Sequence, residues 1–281
     1  MFGLKSALKI SRAPLAEQPP VRLKCCRHGP FMYNINDEYI GRALDIYGEF
    51  SELENTLFQS LIKPGMTVLD IGANIGVHTV NFAKAATPLG KVIAFEPQRI
   101  IYQMLCGNVA LNALENVAAF MIGLGKQAGT INVPPVNYRA HNNFGGLSLG
   151  GTVGEPVPLR TLDSLNLQNC HFIKIDVEGM EQDVLEGGAQ TIAKLKPVLY
   201  VENDRTEKSE SLLRYMLAYG YRLYWDSPPL YNPDNFFGRK DNIYPGLVSI
   251  NVLAIPRNMD FSVPAGALEI TAETAHRHLF A

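Results

Sequence analysis

The chain is long enough for one large domain and carries little net charge. Its 281 residues are 47% hydrophobic, which allows a sizeable core and argues against disorder, and its formal net charge is -2. We therefore expect no nucleic-acid partner, because no global basic field is present. No apolar run approaches the roughly 18 residues that a membrane span needs. Without a secretory signal or metal-type cysteine spacing, the four cysteines predict a cytoplasmic protein with reduced thiols.

The chain begins with a segment of local positive charge, which we interpret as an N-terminal arm over residues 1–29. Basic residues at positions 5, 9, 12, 22, 24 and 27 face one acid, at position 17. A solvated tail is the simple interpretation, and contact with phosphate or an anionic membrane is the alternative.

Residues 30–65 are expected to pack on the core as a hairpin and a helix. Phe31–Asn34 and Tyr39–Ile40, separated by a polar turn, are typical of a small hairpin. The segment Ser51–Glu54 has the pattern of a capping box, and the helix it opens should end at Pro64.

Residues 66–256 show alternating strand and helix patterns, which predict an α/β domain with a mostly parallel sheet. Two stretches interrupt the pattern: an insert over 124–170 and an aromatic, proline-rich loop over 226–246. Such long interruptions are usually functional lids or pocket walls. Residues 257–281 are left as a C-terminal extension. The expected strands are 67–71, 91–96, 117–122, 171–176, 197–202, 221–225 and 247–255, the last two pairing antiparallel, and the expected helices are 77–86, 99–112, 180–195 and 207–219.

The run from Asp70 to Gly76 joins a buried strand to a helix through a glycine turn. Gly72, Asn74 and Gly76 allow backbone N–H groups to approach a nucleotide-like ligand. A carboxylate at position 70 would repel a pyrophosphate but attract the cationic groups of S-adenosylmethionine. The turn also lacks the third glycine of a dinucleotide fingerprint. We therefore expect an adenosyl ligand with a positive charge.

A second acid, in Glu96-Pro97, ends the next strand twenty residues after Gly76. An acid at this distance can accept both hydroxyls of a ribose. The alternatives without a function are an ordinary turn for the glycines and a solvated strand end for Glu96. The motifs in this order predict a cofactor site and match the architecture of class I S-adenosylmethionine-dependent methyltransferases, an α/β Rossmann-like fold with a seven-stranded sheet, an antiparallel terminal hairpin and helices on both faces.

Carboxylates at the ends of two later strands are the candidate catalytic groups. Asp176, Glu178 or the loop residue His141 could accept a proton from an acceptor hydroxyl. Asp176, Glu178 and Glu202 would also suit a hard cation such as Mg²⁺. Helix capping and surface ion pairing are the structural alternatives for these acids. The Asp-Val-Glu-Gly sequence at 176–179 disfavours nucleobase N-methylation, which uses prolines and an aromatic residue at that position.

At these motifs the chain resembles the FkbM family of methyltransferases, over about residues 30 to 255. The resemblance implies O-methylation of a sugar or polyketide-type hydroxyl in a bacterial biosynthetic pathway. It also implies that Asp70, Gly72, Asn74, Gly76 and Glu96 bind the cofactor, that Asp176 lies at the active site, and that Glu49 approaches the methionine end. The matching segments are Tyr47–Glu49, Val68–Thr79, Ala94–Pro97, Asn108–Asn112, Thr161–Asp163 and Ile173–Glu181.

The sequence thus predicts an S-adenosylmethionine-dependent O-methyltransferase acting on a small-molecule or glycan acceptor. Two other classes stay open: an inactive binding or assembly protein with the same fold, and a nucleotide-dependent oxidoreductase. The sequence identifies neither the acceptor, nor a metal requirement, nor the oligomeric state.

Overall fold

A large β-sheet with helices on both faces organises the structure, a computed structural model that describes residues 19–261, 267–276 and 278. The strands are β1 (Val21–Cys26), β2 (Gly29–Asn34), β3 (Thr67–Ile71), β4 (Lys91–Phe95), β5 (Val117–Phe120), β6 (Gly123–Leu124), β7 (Gly129–Val133), β8 (Glu155–Arg160), β9 (Phe172–Ile175), β10 (Val198–Glu202), β11 (Tyr221–Asp226), β12 (Asn251–Pro256) and β13 (Leu268–Ile270). The helices are α1 (Ile40–Tyr47), α2 (Glu52–Leu61), α3 (Val77–Ala86), α4 (Arg99–Leu111), α5 (Glu181–Gly187), α6 (Ala189–Leu195) and α7 (Thr206–Ala218).

The strand order of the main sheet is β13-β11-β12-β10-β9-β3-β4-β5. The five strands from β10 to β5 are parallel, whereas β12 and β11 run antiparallel to their neighbours. The chain moves outward from β3 to β5 and then returns to place β9 beside β3. Ligands of open α/β sheets bind at the carboxyl ends of the strands beside such a reversal. The predicted fold class is therefore confirmed, and its ligand crevice lies beyond β3 and β9.

Separate apolar layers cover the two faces of the sheet. Leu69 and Ile173 pack with residues of α5, α6 and α7 on one face. Phe172 and Tyr200 face the other way and pack with Phe58 of α2 and Phe82 of α3. Within the described part of the chain, none of the helices combines the length and the apolar character that crossing a bilayer requires.

The N-terminal hairpin differs from the predicted one. β1 pairs with β2 through a tight turn at 27–28, so residues 21–29, expected in the basic arm, form part of the hairpin. Residues 1–18 lie outside the described part. The second predicted strand is wrong, because Tyr39 precedes helix α1. The Asp37 carboxylate accepts hydrogen bonds from the backbone N–H groups of Tyr39 and Gly41, so the polar turn opens a helix instead.

Three further elements differ from the sequence interpretation. β13 adds an eighth strand outside β11, formed by a segment too short to show strand alternation. The helix predicted over 180–195 is divided at Gly188, where a Cβ would lie 2.5 Å from Leu162. Helix α2 begins at Glu52, but the capping box is wrong: Ser51 has a φ of 50° and forms no side-chain cap. Glu54 instead accepts a hydrogen bond from Asn251 of β12.

Candidate active site

A cavity of about 450 Å³ opens at the carboxyl ends of β3, β4, β9 and β10. It extends from the turn after β3, past Glu96, to the acids that follow β9 and β10. An adjoining apolar cavity of about 20 Å³ shares Gly72 and is lined by Pro97 and Val177. The predicted cofactor turn and the predicted catalytic acids therefore line one continuous crevice.

Two glycines give the turn between β3 and α3 its shape. Gly72 and Gly76 have φ values of 80° and 88°, which residues with a Cβ atom rarely adopt. A Cβ on Gly72 would lie 1.7 Å from the carbonyl oxygen of Asp176, and one on Gly76 would lie 2.6 Å from Leu105. The glycines thus let the turn lie directly against both the end of β9 and helix α4.

Asp70 lies beneath this turn and is completely buried. One carboxylate oxygen accepts a hydrogen bond from the Thr79 hydroxyl at 2.5 Å, which fastens the start of α3 to the strand. The other oxygen has no hydrogen-bond partner among the described residues and lies 3.8 Å from the Lys174 ammonium group. Asp70 is not among the residues that line the cavity, so its carboxylate would act on a cationic ligand through space rather than by direct contact.

Glu96 is 3% exposed and is held by the backbone. Its two oxygens accept hydrogen bonds from the N–H groups of Asn74 and Gln98, at 2.9 and 2.8 Å. Burial raises the pKa of Glu96 to about 7, although these two N–H donors oppose the shift. Each oxygen keeps a free lone pair, so the carboxylate can accept further hydroxyl donors, as the ribose role requires.

Part of the insert closes this end of the crevice. The Phe144 side chain is 1% exposed, and its carbonyl oxygen accepts a hydrogen bond from the Gln98 amide at 2.8 Å. Asn142 forms a β-bridge with Asp37, and Gly145 lies against the Asn74 side chain. The segment 142–146 is therefore a cover over the turn and Glu96, and a lid function for the insert stays a prediction.

The carboxylates of Asp176, Glu178 and Glu202 gather on the opposite side of the crevice. One oxygen from each lies within 4.8 Å of the others. Lys174 contacts Asp176 at 3.0 Å, and Arg205 contacts Glu178 at 2.6 Å. The Oε2 atom of Glu202 is buried without a hydrogen-bond partner among the described residues.

Burial and mutual closeness raise the pKa values of two of these acids, Glu178 and Glu202. Burial, and then the charge of Asp176, raises the pKa of Glu178 to about 7 against the opposing effect of Arg205. The pKa of Glu202 is raised well above its ordinary range by burial and by the neighbouring carboxylates of Asp176 and Glu178. Lys174 behaves in the opposite sense: burial lowers its pKa, but Asp176 and Asp70 outweigh this effect and the net pKa is raised.

The sequence interpretation missed a group of polar residues on the floor of the cavity. Glu54 lies 3.4 Å from the Nε2 atom of His78 and accepts a hydrogen bond from Asn251 at 2.8 Å. Burial raises the pKa of Glu54, but its bond to His78 and other donors lowers it below the ordinary value. Tyr200, in the middle of an apolar strand, donates to Asp226 at 2.6 Å. The hydroxyl of Tyr200 within an apolar strand could have indicated one of these positions, whereas Glu54 lies in a mostly polar helix and carried no such signal.

Four predicted site residues are not among those that line the crevice: Asp70 and Gly76, which were described above with the turn, and Glu49 and His141. Glu49 is buried, but its carboxylate accepts hydrogen bonds from Arg27, Asn232 and the backbone N–H of Phe236. It therefore fastens the aromatic loop to the N-terminal hairpin. His141 is exposed on the insert and lies outside the residues that line the cavity. The predicted roles of Glu49, at the methionine end, and of His141, as a base, gain no support from these positions.

The sheet order and the glycine turn facing an acid define a class I methyltransferase domain. A model of the FkbM methyltransferase domain matches residues 70–223, more than half of the chain. The protein belongs to this family, and the prediction of S-adenosylmethionine as its cofactor is confirmed by that membership.

The comparisons also give individual relatives. The methyltransferase sdnD of Sordaria araneosa is 31% identical in an alignment that covers 43% of this chain and 59% of sdnD. The 2-O-methyltransferase NoeI of Sinorhizobium fredii is 26% identical over 54% of this chain and 69% of NoeI. The crystal structure of methyltransferase FkbM from Methylobacillus flagellatus covers 72% of this chain and 50% of its own, with 17% identity and a TM-score of 0.47. The match thus spans less than two thirds of sdnD.

Proposed function

We propose that this protein transfers a methyl group from S-adenosylmethionine to a hydroxyl group of a small-molecule or glycan acceptor, of a sugar or polyketide type. The observation that carries the proposal is the shared crevice, in which the glycine turn and Glu96 face the carboxylates of Asp176 and Glu178. This arrangement supports cofactor binding and removal of the acceptor proton at neighbouring positions. The name of NoeI, a 2-O-methyltransferase, supports the oxygen acceptor.

The residues of the turn side would hold the cofactor. Glu96 would accept the ribose hydroxyls, and the backbone between Gly72 and Gly76 would lie against the adenosyl group. The buried carboxylate of Asp70 favours the positive charge of the ligand. The cover at 142–146 would exclude water, which would otherwise compete with the acceptor.

The acid side would activate the acceptor. Bound S-adenosylmethionine supplies a methyl group whose bond to sulfur breaks as the acceptor oxygen attacks from the opposite side, the electron pair leaving with sulfur. A neutral hydroxyl is a poor nucleophile, so a carboxylate must take its proton. Asp176 is the proposed acceptor of that proton, and Lys174, at 3.0 Å, would hold its side chain in place. Glu178 is the proposed second acid.

The two other functional classes make different predictions. An inactive binding protein would bind S-adenosylmethionine without releasing its demethylated product in the presence of acceptors. An oxidoreductase would bind NAD(H) and neither of the methyl-donor forms, an outcome that membership of the methyltransferase family argues against. Calorimetric titration with these ligands separates the classes before any acceptor is known.

The test of the proposal is methyl transfer from labelled S-adenosylmethionine to a panel of sugar-bearing and polyketide acceptors. We expect Asp176→Asn to keep its affinity for S-adenosylhomocysteine and to lose about 10²- to 10⁴-fold in turnover. Asp183→Asn removes an exposed acid from α5 and should change neither quantity. Equal turnover of both variants would remove Asp176 from the reaction, and transfer to amines alone would contradict the hydroxyl acceptor.

A further inference from the structure

The three clustered acids are brought together by strand register. Ile175 of β9 pairs with Val201 of β10, so the next residues, Asp176 just after β9 and Glu202 at the end of β10, are neighbours. Glu178 follows on a backbone with a φ of 57°, which directs the chain back toward the cluster. Carboxylate oxygens from the ends of two neighbouring strands thus converge within 4.8 Å, on the side of the cavity opposite the glycine turn.

The nearby cations neutralise only part of this cluster. Lys174 contacts the Oδ2 atom of Asp176, and Arg205 contacts the Oε2 atom of Glu178. Each contact leaves the second oxygen of that carboxylate available. Glu202 forms no ion pair within the described residues, and its buried Oε2 atom lacks a hydrogen bond. An uncompensated buried carboxylate is costly unless a cation or a proton joins it.

The donor set selects the kind of cation. All three ligands are carboxylates, and the cluster includes neither His nor Cys within the described residues. Oxygen-only sites favour hard cations such as Mg²⁺ or Mn²⁺ over Zn²⁺. Mg²⁺ takes six ligands, so three protein oxygens would leave positions for water and for an acceptor oxygen.

We propose that Asp176, Glu178 and Glu202 bind one divalent cation of the Mg²⁺ type on the acceptor side of the crevice. The existence of the site rests on the cluster itself, whereas its role rests on the proposed function. A cation here would hold the acceptor hydroxyl and lower its pKa, which makes it easier for a neighbouring carboxylate to take the hydroxyl proton. The proposed role of Asp176 as the proton acceptor then falls to its carboxylate oxygen that does not bind the cation.

Binding of Mn²⁺ to the full-length, metal-stripped protein tests the site directly. The free Mn²⁺ signal in electron paramagnetic resonance should show a single saturable site per chain, from which Mg²⁺ displaces Mn²⁺. Glu202→Gln keeps the side-chain shape but removes a charged ligand, and should weaken Mn²⁺ binding about 10- to 100-fold. Absence of a saturable site would overturn the proposal.

Asp204→Asn is the matched control, because Asp204 lies in the same cavity but pairs with Arg205 at 3.4 Å and is not a member of the cluster. It should leave Mn²⁺ affinity within about twofold of the parent protein, since outer charges contribute little. Equal weakening in both variants would mean diffuse attraction by acids and would contradict a defined site. If Glu202→Gln fails to fold, as judged by circular dichroism, Glu178→Gln replaces it in the same titration.

Chelation separates this inference from the proposed function. Loss of methyl transfer in EDTA, with recovery on adding Mg²⁺, is the expected result. Undiminished transfer in EDTA would overturn the catalytic role of the cation while leaving the methyltransferase function intact. Saturable Mn²⁺ binding without transfer to any hydroxyl acceptor would support the site and refute the function.

Discussion

Single residues of this crevice owe their properties to what surrounds them. Glu96 ends a strand, as many acids do, but the backbone N–H groups of Asn74 and Gln98 hold it inside the protein. Asp70 is likewise fixed by Thr79. The sequence predicts both acids from their positions after strands. Their burial is a tertiary effect: the cover at 142–146 lies over Glu96, and helix α3 packs against Asp70.

The raised pKa of Glu96 leads to a pH dependence of cofactor binding. Burial raises this pKa from 4.5 to about 7, so the protonated form dominates in the free protein at pH 6. Protonated Glu96 stabilises the folded protein. This contribution is complete at pH values below the pKa of Glu96 in the unfolded chain, and it is lost as the pH rises through about 7. In the proposed ribose role the ionised form would accept the hydroxyl donors more strongly, so affinity for S-adenosylhomocysteine should increase about tenfold from pH 6 to pH 8.

Calorimetry across that pH range, on the parent protein and on Glu96→Gln, measures the effect. The variant should bind about 1–3 kcal/mol more weakly at pH 8 and should lose the pH dependence. Glu115→Gln, at a residue outside the cavity, is the control. A parallel pH profile in Glu96→Gln would assign the titration to another group.

At the scale of elements, the core strands and helices follow their sequence patterns, and the connections do not. Strand β3, strand β9 and helix α3 appear close to where periodicity predicts them, because apolar residues repeat at the spacing of each element. The hairpin was misplaced because Asp37 suits both a turn and a helix start. The division at Gly188 depends on Leu162, a residue from a distant segment that periodicity cannot register.

The cover over the turn depends on one buried aromatic side chain. Phe144 packs against Tyr138, with ring centroids 5.0 Å apart, and anchors the insert to the hydrophobic cluster beneath it. Phe144→Ala should loosen residues 137–146, accelerate amide hydrogen exchange there, and increase the dissociation rate of S-adenosylhomocysteine. We expect about 3–5 kcal/mol of lost local stability.

Hydrogen exchange with mass spectrometry and stopped-flow dissociation are the measurements. Val153→Ala removes an exposed side chain, 71% accessible, from the same insert and serves as the control. Unchanged exchange in Phe144→Ala would show that the cover is held by its backbone bonds alone.

For the whole molecule, one apolar layer supports both the sheet and the cavity floor. Phe58 is 1% exposed and contacts the rings of Phe82, Phe172, Tyr200 and His78, at centroid distances from 4.8 to 5.6 Å. The last two of these residues line the cavity. Stability of the fold and placement of the floor are thereby linked.

Phe58→Ala should lower the free energy of unfolding by about 3–5 kcal/mol, through lost apolar contact and the resulting cavity. Chemical denaturation gives this value, and Leu89→Ala, at an 84% exposed position, is expected to be neutral. The variant should also bind S-adenosylhomocysteine more weakly, since His78 and Tyr200 lose a packing partner. Full affinity in the destabilised variant would separate the floor from the core.

The sequence by itself determined the local features: the parallel sheet, the glycine turn, Glu96 after its strand, and the acids Asp176 and Glu178. These follow from periodicity and from residue types whose backbone or charge preferences are local. The tertiary structure decided which of these features lie next to one another in the crevice. Strand order placed β9 beside β3, register set Glu202 next to Asp176, and packing buried Glu54 with His78 while turning Glu49 away from the crevice. Contacts between residues far apart in the chain leave no periodic trace, so only the folded molecule reveals them.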